Sequence, residues 1–192
     1  MNHSSALSAV AFAALMSGLV ACAPRKEDPP PKPKVMADVS PKPPATFAAL
    51  PNLGPAPTWT LQDLAGKPIN SADLKGKVVV VDFWATWCPP CRAEIPGYVE
   101  LQKKYGGDGL VVVGISLDEG GPEVVKPFAE KIGINYQLVM GDDRVIADFG
   151  GVEGIPTTFL IDRSGQIRDR KVGMEETAEY EKKIAAVLGE KS

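Results

Sequence analysis

Near the middle of the chain an almost unbroken β-branched run, residues 77–83 (Lys-Val-Val-Val-Val-Asp-Phe), leads within a few positions into Trp87-Cys88-Pro89-Pro90-Cys91. Such apolar runs belong to strands buried on both faces of a sheet, as in α/β proteins. Proline cannot donate to a strand ladder, but it suits the first turn of a helix, where the missing N–H costs nothing. The segment therefore predicts a central strand that breaks directly into a helix over residues 89–105, with a C-x-x-C at the junction. This spacing puts both sulfurs in the first helical turn, close enough to bond without straining the backbone. Cys88 falls at the helix N-terminus, where free N–H groups and the helix dipole favour a thiolate. The thiolate is the nucleophile of thiol–disulfide exchange, and Cys91, on the packed side of the helix, suits a resolving thiol.

The surrounding pattern is α/β. Residues 58–61 alternate polar and apolar, and 67–70 return after a turn, which predicts an N-terminal hairpin. Ile95, Tyr98, Val99 and Leu101 give the active-site helix its apolar contacts, and Gly106-Gly107 stops it. Residues 110–117 read as a second buried strand, 122–132 as a helix packed through Val124, Val125, Phe128 and Ile132, 136–140 as a strand and 142–149 as a short helix. Strands over 157–162 and 166–171 turn at Arg163-Ser164-Gly165, and a last helix spans 175–188 with Thr177, Tyr180, Ile184 and Leu188 on one side. This order implies a mixed central sheet with helices on both faces.

Composition narrows the chemistry. Of 192 residues only His3 is histidine and three are cysteine. Once a leader carrying His3 is removed, Ser-His-Asp and Cys-His sites and His-ligated zinc or haem are excluded. No second C-x-x-C completes a zinc site, and Arg92 stands where c-type haem attachment needs histidine. Gly150-Gly151 and Gly154 lack the order of a dinucleotide loop, and Asp142-Asp143 with Asp148 reads as a helix N-terminal acidic pair, not a metal cluster. These residues call for no cofactor and no metal. A net charge of -3 argues against a nucleic-acid partner. A purely structural bridge between Cys88 and Cys91 closes so small a loop that it constrains the unfolded chain little.

The first residues read as targeting signal. Residues 6–20 are uncharged and mostly apolar, shorter than the roughly 20 residues that span a bilayer. Leu19-Val20-Ala21-Cys22 resembles the lipobox of bacterial lipoproteins, which implies cleavage after residue 21 and a lipid on Cys22. Ordinary cleavage at Ala21-Cys22-Ala23 would instead release a soluble product. Either way the domain meets an oxidising compartment, and two cysteines remain as a pair. Residues 22–57 hold eleven of the eighteen prolines, with Arg25, Lys26, Lys32, Lys34 and Lys42 against Glu27, Asp28 and Asp38. Such a stretch favours extended polyproline conformations without a core, so it reads as a tether ahead of a domain over residues 58–189.

The segment 81–96 (Val-Asp-Phe-Trp-Ala-Thr-Trp-Cys-Pro-Pro-Cys-Arg-Ala-Glu-Ile-Pro) resembles the active-site segment of thioredoxin-fold proteins, nearest the TlpA/ResA/CcmG branch of exported thiol–disulfide reductases. Pro96 matches that fold's helix-kinking proline. Residues 154–162 (Gly-Ile-Pro-Thr-Thr-Phe-Leu-Ile-Asp) resemble its cis-proline loop and following strand. The resemblance implies a thioredoxin-like fold and a cis Pro156 facing the cysteines. It also implies a substrate chain pairing with the Ile155 backbone across Trp87, Pro89 and Pro90. Glu94 matches a glutamate that assists proton transfer in the branch, and Asp82 matches the buried aspartate of thioredoxin proper. Either acid is thereby a candidate to accept the Cys91 proton. The strand over 110–117 offers no lysine to pair with Asp82. Implied partners are protein disulfides, among them apocytochrome c or copper-site cysteines, and a membrane electron donor that rereduces the pair. An oxidant or isomerase would use the same residues. A copper-handling module would use the same two thiolates. A peroxiredoxin-like peroxidase needs a threonine three residues before its cysteine, whereas Thr86 stands two before Cys88.

Overall fold

A computed structural model describes residues 50–190; the leader, Cys22 and most of the tether lie outside the described residues. A short antiparallel hairpin, β1 (Thr60–Gln62) and β2 (Pro68–Asn70), precedes a five-stranded sheet. The sheet is built from β3 (Val78–Trp84), β4 (Leu110–Ser116), β5 (Gln137–Met140), β6 (Thr157–Ile161) and β7 (Ile167–Val172), in the order β5-β4-β3-β6-β7. β3, β4 and β5 run parallel; β6 and β7 add antiparallel pairs. The helices are α1 (Pro89–Tyr105), α2 (Pro122–Ile132), α3 (Asp143–Asp148) and α4 (Thr177–Gly189).

The period-2 alternation of a strand splits β3 between two cores. Val79, Val81 and Phe83 pack with Trp59 and Leu61 of the hairpin side and with Val145 and Phe149 of the α3 side. Val78 and Val80 point the other way, onto Tyr98 and Leu101 of α1 and Tyr180, Ile184 and Val187 of α4. Trp84 continues that second face beneath Cys88, Cys91 and Ile95, beside Val125 and Ala129 of α2. Every residue of β3 is buried, as its composition requires. Asp82 therefore shares the α1–α4 face with valines.

Two readings change and one gains its physical cause. α2 buries Val125 and Ala129, one turn apart, while Val124 and Ile132 are exposed; the helix meets the sheet along a narrower stripe than its apolar residues suggest. Asp142 caps α3, its carboxylate accepting from the Val145 N–H at 2.7 Å, which explains the acidic pair. The domain also begins before residue 58. Leu53 N–H donates to Ile167 O and Ile167 N–H returns a bond to Gly54 O, so residues 53 and 54 pair with the start of β7 despite their proline-rich context. Arg168 donates to the carbonyls of Leu50 and Pro51. Proline has no N–H to offer, but its neighbours and its carbonyl still pair, which composition does not reveal.

Candidate active site

β3 ends at Trp84, and the chain then turns through Ala85, Thr86 and Trp87, with the Cys88 N–H bonded to Ala85 O at 3.2 Å. Asp118, just past β4, fastens this turn. Its carboxylate accepts from the Thr86 N–H at 3.0 Å and from Thr86 Oγ1 at 2.6 Å, and is itself braced by Ser116 Oγ at 2.8 Å. The site thus sits at the carboxyl ends of two adjacent parallel strands, where α/β sheets place their chemistry.

Cys88 is the N-cap of α1, with extended backbone, and its sulfur accepts from the Cys91 N–H at 3.3 Å. Pro89 and Pro90 occupy the first helical positions, whose N–H groups would have no partner within the helix. Cys88 and Cys91 form a disulfide, with Cα atoms 5.4 Å apart. Only 3% of Cys88 and 1% of Cys91 is exposed, because the cap packs against Trp84 and Ile95. Trp87 stands beside them 65% exposed, and Pro89 is exposed as well. The Ile155–Pro156 peptide is cis, and Ile155 O lies 3.7 Å from Cys88 Sγ. Pro156 is buried and its carbonyl accepts from the Gly173 N–H at 2.8 Å. Of the residues that the resemblance links to substrate binding, Trp87, Pro89 and Pro90 flank Cys88 in the chain and Ile155 meets it through its carbonyl, while Pro156 is buried.

A buried polar row runs along the sheet face under α1. In the sheet register Asp82 pairs with Thr158, and Thr158 with Lys171, so their side chains share the face under α1. On the other side Asp82 pairs with Gly114, where a Cβ would stand 2.9 Å from Trp84 Nε1 and 2.7 Å from Leu138. Thr158 Oγ1 donates to Asp82 at 3.0 Å and lies 3.1 Å from the Tyr98 hydroxyl. Lys171 Nζ donates to the Tyr98 hydroxyl at 3.4 Å and forms an ion pair with Glu94 Oε1, which also accepts from the Glu175 N–H at 3.2 Å. Asp82 is 2% exposed and Glu94 7%. Burial pushes the Asp82 carboxyl up to about 8, with the Thr158 bond opposing, Glu94 adding to the rise and Lys171 opposing it. Burial likewise holds the Tyr98 hydroxyl well above its ordinary value.

Glu94 and Asp82 are thus joined through three intermediaries, and Glu94 is in the core, not on a solvated helix surface. Lys171, Thr158, Tyr98 and Asp118 escaped the sequence reading. The buried lysine of this site comes from β7, two strands away on the opposite side of β3, and it pairs with Glu94, not with Asp82. Its only sequence signal is the alternation within residues 166–171, which puts position 171 on one face without saying which face is covered.

Residues 54–170 match the AhpC/TSA family. The thiol-disulfide oxidoreductase ResA of Bacillus thuringiensis (strain Al Hakam) is 38% identical over 133 residues, covering 67% of this chain and 76% of the relative. The thioredoxin-like protein YneN of Bacillus subtilis (strain 168) is 37% identical over 131 residues, covering 67% and 76%. Among solved structures, a thiol:disulfide interchange protein of the thioredoxin family from Chlorobium tepidum TLS superposes with a TM-score of 0.66 at 39% identity, over 74% of this chain and all of that one. A capped cysteine pair at a strand–helix junction, a cis-proline loop against it and these relatives lead to one conclusion: the chain belongs to the AhpC/TSA family of thioredoxin-fold proteins and, within it, to the ResA-like thiol–disulfide oxidoreductases.

Proposed function

We propose that this is an exported, lipid-anchored reductase of protein disulfides. The observation that carries the reading is the position of Cys88: capping α1, beside Ile155 O and the exposed Trp87, with Cys91 covered behind it. In the reduced protein the Cys91 N–H and the helix dipole stabilise a Cys88 thiolate. That thiolate attacks one sulfur of a substrate disulfide, forming a Cys88–substrate bond and expelling the other substrate sulfur as a thiolate, which takes up a proton. Cys91 then gives its proton to the buried carboxylates, attacks Cys88 Sγ and releases the second substrate thiol. Two electrons pass to the substrate, and Cys88–Cys91 closes as a disulfide. Glu94, one helical turn on from Cys91 and matching the proton-transfer glutamate of the ResA branch, is the receiving carboxylate. A membrane dithiol protein rereduces the pair. The backbone at Ile155 pairs with the substrate chain as an added strand.

The lipid anchor on Cys22 rests on the lipobox-like residues 19–22, and the extracytoplasmic location and the substrates, apocytochrome c or copper-site cysteines, on the leader and the resemblance to the TlpA/ResA/CcmG branch. A peroxidase is disfavoured by Thr86, whose hydroxyl and N–H are both engaged by Asp118. The test is Cys91→Ser in the expressing cell. Without a resolving thiol, Cys88 is expected to accumulate as a mixed disulfide whose partner mass spectrometry identifies; Cys88→Ser is expected to capture nothing. Equal capture by both variants, or peroxide consumption by the wild type as fast as disulfide exchange, would overturn the reading.

A further inference from the structure

Asp82 and Glu94 are both buried, so a proton that either takes from Cys91 must leave the core and return in each catalytic cycle. Among the described residues three buried polar side-chain atoms hydrogen-bond to no protein group: Trp84 Nε1, Glu94 Oε2 and Tyr180 Oη. Glu94 and Tyr180 line the same small space between α1 and α4, of about 10 Å³, together with Gly97, Glu175 and Thr177. A space of that size, with two unpartnered polar atoms in its wall, has room for a single water, and buried polar atoms without partners are rare enough in folded proteins to need one.

Both ends of this space are defined. On the inside, Glu94 Oε1 is already taken by Lys171 and the Glu175 N–H, which leaves Oε2 as the oxygen able to accept a proton. On the outside stands Thr177, an exposed residue at the first turn of α4. Gly97 makes the room: a Cβ there would lie 2.3 Å from Thr177 Oγ1. Lys171 from β7 pairs with Glu94, Tyr98, Glu175 and Tyr180 line the same space, and Asp82 from β3 and Tyr136 just before β5 lie close enough to feel its charge.

We propose that one water occupies this space, bonded to Glu94 Oε2 and Tyr180 Oη, and is the port through which the proton taken from Cys91 reaches solvent. The protonated Glu94 carboxyl gives its proton to the water as the water gives one of its own to solvent at the Thr177 edge. The carboxylate is restored and charge is conserved. The port rests on Glu94 accepting the Cys91 proton, as proposed above.

The test has two arms on the full-length protein. Water–protein cross-relaxation measured by NMR is expected to show a long-lived water next to the Tyr180 ring and the Gly97 N–H, and to lose it in Tyr180→Phe, which keeps the ring and drops the hydroxyl. Rapid-mixing kinetics of the Cys91 resolving step with a chromogenic aromatic disulfide, followed from about pH 6 to about pH 9, is expected to slow roughly tenfold in Tyr180→Phe and in Glu94→Gln, with no further loss in the double variant. Gly97→Ala, which crowds the water from the other side, is expected to slow the same step if Tyr180→Phe does not fold. No bound water in the wild type, or a wild-type rate at every pH in folded Tyr180→Phe beside a slowed Glu94→Gln, overturns the port alone. A wild-type rate in Glu94→Gln overturns the underlying role of Glu94, whatever the water does.

Discussion

At position 82 a carboxyl sits where β3 otherwise carries valine and aromatic side chains, and among the described residues the hydroxyl of Thr158 is the only side chain bonded directly to it. An ionised carboxylate in that setting is costly, so the folded protein holds its proton up to about pH 8, against an ordinary value of 3.8. Over the window between those values the folded state binds more protons than the unfolded one. The contribution of Asp82 to stability is therefore fully present below the unfolded value and is lost as pH rises through the folded one. Its slope approaches about 1.4 kcal/mol per pH unit, a total on the order of several kcal/mol. Urea unfolding measured across this range is expected to show wild-type stability falling toward pH 8, and Asp82→Asn to flatten that decline. A wild-type curve as flat as that of Asp82→Asn would mean that the carboxyl is charged in the fold.

At the scale of elements, β7 matters because it carries Lys171 beneath α1 to meet Glu94. Both side chains are buried, so the pair is sensitive to losing one member. Lys171→Met is expected to destabilise the fold by about 3 kcal/mol or more near neutral pH, and Lys171→Met with Glu94→Gln to recover much of it, as read by denaturant unfolding. Full additivity of the two losses would show that the groups do not act as a pair. The elements themselves were legible: the β-branched run, the proline-opened helix and the glycine stops reproduce α1 and α2 to the residue and the strands to within one or two. The cysteine pair was legible too, because C-x-x-C at a strand–helix junction encodes its own geometry. Lys171 was not, since its meeting with Glu94 depends on the antiparallel register of β6 and β7, which includes an irregularity between Leu160 and Ile161. The pairing of residues 50–54 with β7 was not legible for a similar reason: proline content describes what a segment cannot do alone, and their partners lie more than a hundred positions away.

For the whole molecule, the proposal is a reductase domain held at a membrane by a proline-rich stretch. Among the described residues no helix is long and apolar enough to cross a bilayer; the proposed attachment is a lipid on Cys22, on the lipobox-like pattern of residues 19–22. Cys22→Ser is expected to lose that lipid while the domain keeps its exchange activity; fractionation and mass spectrometry of the wild type and variant check it, and a membrane-bound Cys22→Ser protein would refute it. The central claim is that Cys88 and Cys91 give electrons to protein disulfides. Its most direct test is the equilibrium potential of this pair, measured in redox buffers with the fraction of disulfide as the readout. A two-electron transition well below about -200 mV is the expected result; a value near -120 mV, that of a strong oxidant, would contradict it.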